Sequence, residues 1–248
     1  MIHFRFIRCA VAAVLAGAAL SAHALTLNLT GFANGSLAGV AGTMPNGAGP
    51  GIQAIPANGG TGAFVGSLAG PGAPTINPFY TYCVELTQFF NFGSPLAGYS
   101  LMDGVSYFNS NLPAKPASGA TIVERLGKLF THLGGANLPT STNASAAIQL
   151  AVWESVYEGT SGLDVTSDLL SINNNSTAAG DARTLANSLL ASAAAVTNIM
   201  YSIQVLKNDD KQDFLVIQRI PEPGSLALAG LALVGLAGVA GTARRRRG

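Results

Sequence analysis

Charge is what this sequence most lacks. Only 10% of its 248 residues are Asp, Glu, Lys or Arg, against about a quarter in an ordinary soluble domain. The formal net charge of +1 hides a segregation. Arg5 and Arg8 lie at the start and Arg244, Arg245, Arg246 and Arg247 at the end, which leaves seven basic residues against 12 acidic ones between them. A mildly acidic middle lacks the basic face that nucleic-acid binding requires, so no nucleic-acid partner is expected. Cysteine is nearly missing as well: two residues, Cys9 and Cys83, exclude a disulfide framework. The three histidines are His3, His23 and His132, too few for most zinc sites, and no metal or other cofactor is expected. Neither a phosphate-cradling Gly loop followed by Lys nor a dinucleotide fingerprint is present. Long-range disorder is excluded by a hydrophobic content of 48% with little net charge.

What is present begins with two terminal signals. Residues 1–24 combine the basic Arg5 and Arg8, an apolar run from Cys9 to Leu20, and the small-x-small triplet Ala22-His23-Ala24. This is the pattern of a secretory signal peptide, with signal peptidase cutting after Ala24. The run is short for a permanent anchor helix, the bland alternative. At the other end, residues 225–243 carry no charge and four arginines follow. A helix of that length spans about 28 Å, close to the hydrocarbon thickness of a bilayer. The arginines hold its end on the cytoplasmic side, so the expectation is a transmembrane helix with the bulk of the chain outside.

Pro221-Glu222-Pro223, the apolar helix 225–243 and the cluster Arg244 to Arg247 resemble, in that order, the PEP-CTERM sorting signal of Gram-negative bacteria. Isoleucine rather than valine precedes the motif. The resemblance covers about 28 residues. It implies an exosortase that removes the tail (220–248) near Pro-Glu-Pro, after transient residence in the inner membrane. The protein then passes to the cell surface or its polymer matrix, and the mature chain keeps no membrane helix. A tail anchor that is never processed is the plainer reading.

The region 25–219 between these signals reads as one extracytoplasmic α+β domain: short N-terminal strands, a helical middle and a C-terminal β-hairpin. Leu25, Leu27 and Leu29 alternate with Thr26, Asn28 and Thr30, a strand signal, and Gly-rich turns follow it. Phe79 to Leu86, rich in aromatic and β-branched residues, predicts a strand. Helical spacing over Thr121–Leu133 ends at Gly134-Gly135, with His132 expected to be partly exposed at its end. A second helix, capped by Asn143 or Ser145, runs to about Tyr157 with Ile148, Ala151, Val152 and Ser155 on one face and Gln149, Trp153 and Val156 on the next. A third, capped by Gly180-Asp181, runs from about Asp181 to Val196. Tyr201–Leu206 and Phe214–Ile220 predict the hairpin. Glu154 and Glu158, at i, i+4, read as a solvated face rather than an acid/base pair.

Once the signal is gone, Cys83 is the only cysteine left. An exported thiol normally pairs, so three fates remain open: a buried inert thiol, an intermolecular disulfide, or a bond to something other than sulfur. Its surroundings narrow the choice. Tyr82-Cys83-Val84-Glu85-Leu86 and the later Ile148-Gln149-Leu150-Ala151-Val152-Trp153 resemble the thioester domain of bacterial surface adhesins. In that family a cysteine after an aromatic residue joins a helix-borne glutamine in a Gln-x-Ala-Ile/Val-Trp pattern. The resemblance implies Cys83 and Gln149 as the thioester pair, with Tyr82, Ala151 and Trp153 as the supporting pocket. Ile148 stands where the family usually has threonine, and the acidic spacing after Cys83 is also atypical. In this chemistry the thiol attacks the carboxamide carbon, ammonia leaves, and fixed geometry and exclusion of water do the rest. Tyr80, Phe89 and Phe90 are further candidates for the dry wall. The bond is a single-use electrophile toward an amine, on a lysine or an amino sugar, so the protein is not an enzyme and no residue is catalytic in turnover.

The leading expectation is therefore an exported surface or matrix protein that attaches covalently to amine-bearing partners. The alternative is a non-covalent glycan-binding or structural component of an exopolysaccharide or biofilm matrix. A hydrolase built on His132 has no nucleophile motif to support it.

Overall fold

The computed structural model describes residues 24–38, 40–45, 52–55, 60–71, 74–111, 117–135, 139–159, 162–167, 169–173 and 176–221. The expected signal peptide apart from Ala24, and the expected sorting tail beyond Pro221, lie outside them. Ala24 and Pro221 are both exposed, Ala24 immediately before the first strand. Among the described residues no helix is long and apolar enough to cross a membrane. The expected span 225–243 is not among them.

In chain order the strands are β1 (Leu25–Phe32), β2 (Leu37–Ala38), β3 (Gly42–Pro45), β4 (Ile52–Ile55), β5 (Gly60–Thr61), β6 (Phe64–Ala69), β7 (Ile76–Thr81), β8 (Leu96–Asp103), β9 (Ser171–Ile172), β10 (Tyr201–Lys207) and β11 (Phe214–Arg219). The helices are α1 (Gly104–Ser110), α2 (Gly119–Leu133), α3 (Thr142–Tyr157) and α4 (Thr177–Ala194). The architecture mixes strand and helix, and the expected C-terminal hairpin is β10–β11, paired from Tyr201↔Arg219 to Leu206↔Phe214.

Six strands form one antiparallel sheet in the order β11-β10-β8-β1-β6-β7. The leucine alternation of β1 is realised: Leu27 and Leu29 are buried and Thr30 is exposed. The sheet then closes on itself. Just beyond β7, the Leu215 N–H donates to the Tyr82 carbonyl (3.0 Å) and the Val84 N–H to the Asp213 carbonyl (3.1 Å). Cys83 is thereby bridged to Phe214, and the Thr81 hydroxyl donates to the Leu215 carbonyl at 2.7 Å. Cys83 thus lies on the seam between the first and last strands of the sheet.

The expected strand over 79–86 needs correction: β7 is regular only as far as Thr81. Its partner β6 begins at Phe64, which faces Thr81, so no strand remains to continue that side of the ladder. Strand β8 and helix α1 had no sequence signal and are the main elements the periodicity missed; β8 joins the hairpin to β1 at the centre of the sheet.

Serine starts three of the helices. Ser118, Ser141 and Ser176 accept the N–H groups of Thr121, Ala144 and Ala179, each cap contributing about 1 kcal/mol. The caps move two expected starts: α3 is capped by Ser141 rather than Asn143 or Ser145, and α4 by Ser176 rather than Gly180-Asp181. Gly134, at φ 76°, closes α2. The two-faced reading of α3 also fails, since every residue from Ser145 to Tyr157 is buried. A helix covered on all sides has no polar face. Glu154 and Glu158 are accordingly 0% and 1% exposed rather than solvated.

Candidate functional site: a thiol on the sheet seam held by a helix carboxamide

Helix α3 docks on the sheet through polar side chains spaced at three and four residues, which share one helix face. The Thr142 hydroxyl donates to the Asn34 carbonyl (2.9 Å), Ser145 Oγ accepts the Ala63 N–H (2.8 Å), and Gln149 follows one turn later. The approach is close: a Cβ on Gly62 would lie 2.8 Å from Ser145 Oγ. At the far end of the helix, Tyr157 Oη accepts the Leu86 N–H at 3.2 Å.

Gln149 meets Cys83 through two reciprocal hydrogen bonds. The Cys83 N–H donates to Gln149 Oε1 at 2.9 Å, and Gln149 Nε2 donates to the Cys83 carbonyl at 2.9 Å. A backbone N–H must face an acceptor and a carbonyl a donor, which sets the orientation of the carboxamide. The side chain does what a neighbouring strand would do. Continuing the β6–β7 register would place residue 62 opposite Cys83, but the regular pairing stops at Phe64↔Thr81, and the carboxamide takes the vacant ladder position. Gln149 is 1% exposed. A buried amide requires partners, and it finds them on the cysteine's own peptide groups.

Cys83 is a free, buried cysteine. Burial, reinforced by the Glu85 carboxylate, pushes its thiol well above the usual range, so at neutral pH it is protonated and a poor nucleophile until its proton is removed. Beside it opens a cavity of about 190 Å³. Cys83, Glu85 and Trp153 line it, with an aromatic wall of Phe32, Phe64, Phe90 and Phe92. The rings of Phe90 contact those of Phe64, Phe92 and Phe214 edge-on, with centroids 5.1 to 5.2 Å apart. Phe89, 67% exposed, also lines it. Trp153 Nε1 and Gln88 Oε1, both on lining residues, are buried without a hydrogen-bond partner among the described residues.

Glu85 is held from two sides. Its Oε1 accepts the Asp213 N–H (3.2 Å) and its Oε2 the Thr87 hydroxyl (3.2 Å). Burial and then the nearby Asp213 carboxylate raise its carboxyl to about 7. Gln212 donates to the Glu85 carbonyl (2.8 Å), and its own carbonyl accepts the Tyr99 hydroxyl (2.8 Å). Asp213 accepts the Tyr107 hydroxyl (2.5 Å) and the Asn208 N–H (2.7 Å). These contacts clamp the segment 82–86 against the start of β11.

The sequence-predicted residues therefore separate. Cys83 and Gln149 come together, and Trp153 joins them at the cavity. Tyr82 is buried away from the cavity lining, its ring 5.6 Å from that of Phe130. Ala151 is buried within α3 and is not on the cavity lining. Tyr80 is likewise off the wall, whereas Phe89 and Phe90 are on it. His132 is exposed in the last turn of α2. Glu85, Gln212, Asp213 and the phenylalanines Phe32, Phe64 and Phe92 were missed. Glu85 alone had a local signal, as the one acidic residue in the otherwise uncharged stretch 76–86. Among the described residues no group of three or more His, Cys, Asp or Glu is placed to hold a metal ion.

No protein-family model matches the chain, and no curated protein matches it. Two solved structures are similar in part. One is the N-terminal domain of the Streptococcus pyogenes pilus tip adhesin Cpa, at 14% identity and a TM-score of 0.45, covering 65% of this chain and 86% of that one. The other is the N-terminal thioester domain of a surface protein from Clostridium perfringens, a cysteine-to-alanine mutant, at 15% identity and a TM-score of 0.40, covering 62% and 88%. The likeness is one of partial shape, and the chemistry open to Cys83 follows from the distances around it.

Proposed function

We propose that this chain is an exported surface protein that attaches itself to amine-bearing partners through an internal thioester between Cys83 and Gln149. The observation that carries the reading is the reciprocal pair of 2.9 Å hydrogen bonds between the Cys83 peptide groups and the Gln149 carboxamide. They fix the electrophilic carbon against the residue that bears the nucleophile, which supplies the proximity that an unreactive amide requires. The Cys83 N–H already donates to the oxygen on which negative charge develops during attack, as one donor of an oxyanion hole. Sulfur then replaces nitrogen on the carbonyl carbon, and ammonia leaves. A partner amine later takes the acyl group and returns the thiol. The reaction is stoichiometric, so the protein is not an enzyme.

Delivery follows the two terminal signals. Signal peptidase cuts after Ala24, an exosortase processes the tail at Pro221-Glu222-Pro223, and the product resides on the surface or in the matrix of a Gram-negative cell. The test is intact mass. The exported protein weighs one ammonia less than its sequence requires, and methylamine adds to it while releasing one titratable thiol. An unshifted mass with a freely titrating Cys83 overturns the covalent mechanism.

A second reading rests on Phe89, 67% exposed, and Phe92, 40% exposed, at the cavity. Exposed rings suit stacking on sugars, so the protein binds a matrix polysaccharide without a covalent bond. Retention on such a polysaccharide that Cys83→Ala leaves unchanged favours this reading.

A further inference from the structure

The thiol of Cys83 is buried and protonated, yet the proposed chemistry requires it to attack. Something at the site must take its proton, and the described residues place few groups there. His132, the one histidine outside the signal peptide, is exposed on α2 and absent from the cavity. Of the described residues lining the cavity, Glu85 is the only one with an ionisable side chain besides Cys83 itself. It lies two residues along from Cys83, and both face the same space.

We infer that Glu85 is the proton acceptor of this site, serving both the closure of the thioester and its opening by an amine; this rests on the Cys83–Gln149 reading above. In closure the Glu85 carboxylate removes the thiol proton and Sγ bonds to the Gln149 side-chain carbonyl carbon. The tetrahedral oxygen stays on the Cys83 N–H. The carbon–nitrogen bond then breaks as Glu85 returns the proton to Nε2, which departs as ammonia. In opening, a neutral primary amine attacks the thioester carbon and Glu85 takes the proton that the nitrogen sheds. The carbon–sulfur bond breaks, and the same proton passes to sulfur, restoring the thiol beside an amide.

The surroundings of Glu85 suit a group that must both accept and return a proton. Two hydrogen bonds, from the Asp213 N–H and the Thr87 hydroxyl, hold its oxygens in place. Among the described residues no cation is bonded to it: Lys207 on β10 acts only from a distance and favours the charged form, while its ammonium contacts Asp209. The other groups facing it are Asp213 at the start of β11, which opposes ionisation, and the neutral hydroxyls of Tyr99 on β8, Tyr107 on α1 and Tyr157 on α3. Burial is the first cause of a carboxyl poised at about 7, where both forms are populated and proton transfer in either direction is favoured.

The experiment uses the full chain, wild type and Glu85→Gln, with methylamine as the probe. Thiol release is followed from pH 5 to 9, and each rate is divided by the fraction of methylamine present as free base. The wild type rises to a plateau with its midpoint near 7. Glu85→Gln, with an unchanged circular dichroism spectrum, is slower by about 100-fold or more and has no midpoint, or emerges without the ammonia deficit because closure has failed. A wild type carrying the ammonia deficit, with Glu85→Gln matching its rate and pH profile, overturns the role of Glu85 and leaves the thioester standing. If the variant does not fold, the wild-type profile decides: a corrected rate flat through the neutral range overturns the inference. A wild type without the deficit overturns the thioester and this inference together.

Discussion

Helix α3 has a buried carboxylate site on either side, and the two differ in what they face. Glu85 meets the helix from the sheet seam and opens on a cavity shared with Cys83 and Trp153. Glu154, on the helix itself, faces the segment 162–167: its Oε1 accepts the Asp164 N–H at 2.7 Å, and its Oε2 is buried without a partner among the described residues. One turn on, Glu158 accepts the N–H groups of Gly159 (2.7 Å) and Leu169 (3.0 Å). Arg125 reaches from α2 to the Glu158 carbonyl at 2.8 Å and to the carbonyls of Ser155 and Gly159. Burial raises both carboxyls, Glu85 to about 7 and Glu154 to about 8. Perturbed titration is thus common to both sites. Each also accepts a peptide N–H of its own chain, Glu154 from Asp164 and Glu85 from Asp213; what distinguishes them is that Glu85 shares open space with a thiol.

The largest test of that contrast removes the thiol. Cys83→Ala abolishes methylamine uptake and the ammonia deficit completely, read by intact mass, while the Glu154 side keeps its structure. Next, Gln149→Ala loses capture to the same extent and also destabilises the fold. It strands the N–H and carbonyl of Cys83 away from water, at about 1–3 kcal/mol for each unsatisfied group, so a fall in Tm distinguishes it from Cys83→Ala.

Arg125→Ala acts only on the second site. It uncaps the end of α3 and costs about 1–3 kcal/mol in urea unfolding, with the rate of methylamine uptake in the folded protein unchanged. The pH dependence of stability divides the two sites further. Glu154 holds its proton in the folded state to about 8, above its ordinary carboxyl value. The folded state therefore binds more protons than the unfolded one across that window, and stability falls as pH rises from about 5 to 8. Glu85, raised to about 7, adds a slope of the same sign below that pH. Glu154→Gln therefore reduces the slope in thermal melts and removes its part between about 7 and 8, whereas the pH dependence of methylamine uptake stays with Glu85. The smallest effect is that of Phe89→Ala: its ring is exposed, so stability changes by less than about 0.5 kcal/mol, and only the affinity for a partner at the cavity mouth responds.

Much of the architecture was legible because local chemistry decided it. The alternating leucines of β1, the apolar spacing and glycine stop of α2, and the β10–β11 hairpin followed from periodicity and turn residues. Helix α3 was placed correctly but given a wet face, because Glu154 and Glu158 look solvated on a helical wheel. Only packing against α2, α4, the segment 162–167 and Leu169 buries them. Strand β8 and its continuation into α1 had no local signal, since Gly98 and Ser100 interrupt any apolar alternation and the strand is specified by its two neighbours.

The pair at the centre of the site divides in the same way. The residue types on their own single out Cys83 as the one cysteine outside the expected signal peptide, and Gln149 as a polar side chain stranded in an apolar helix, because composition and hydrogen-bonding capacity belong to the chain whatever its shape. The meeting of residues 66 positions apart, the strand that begins only at Phe64 and leaves a ladder position for the carboxamide, and the carboxylate of Glu85 on the same cavity are consequences of the closed sheet. Such contacts join segments distant in the chain, and no local pattern of residues encodes which of them will meet.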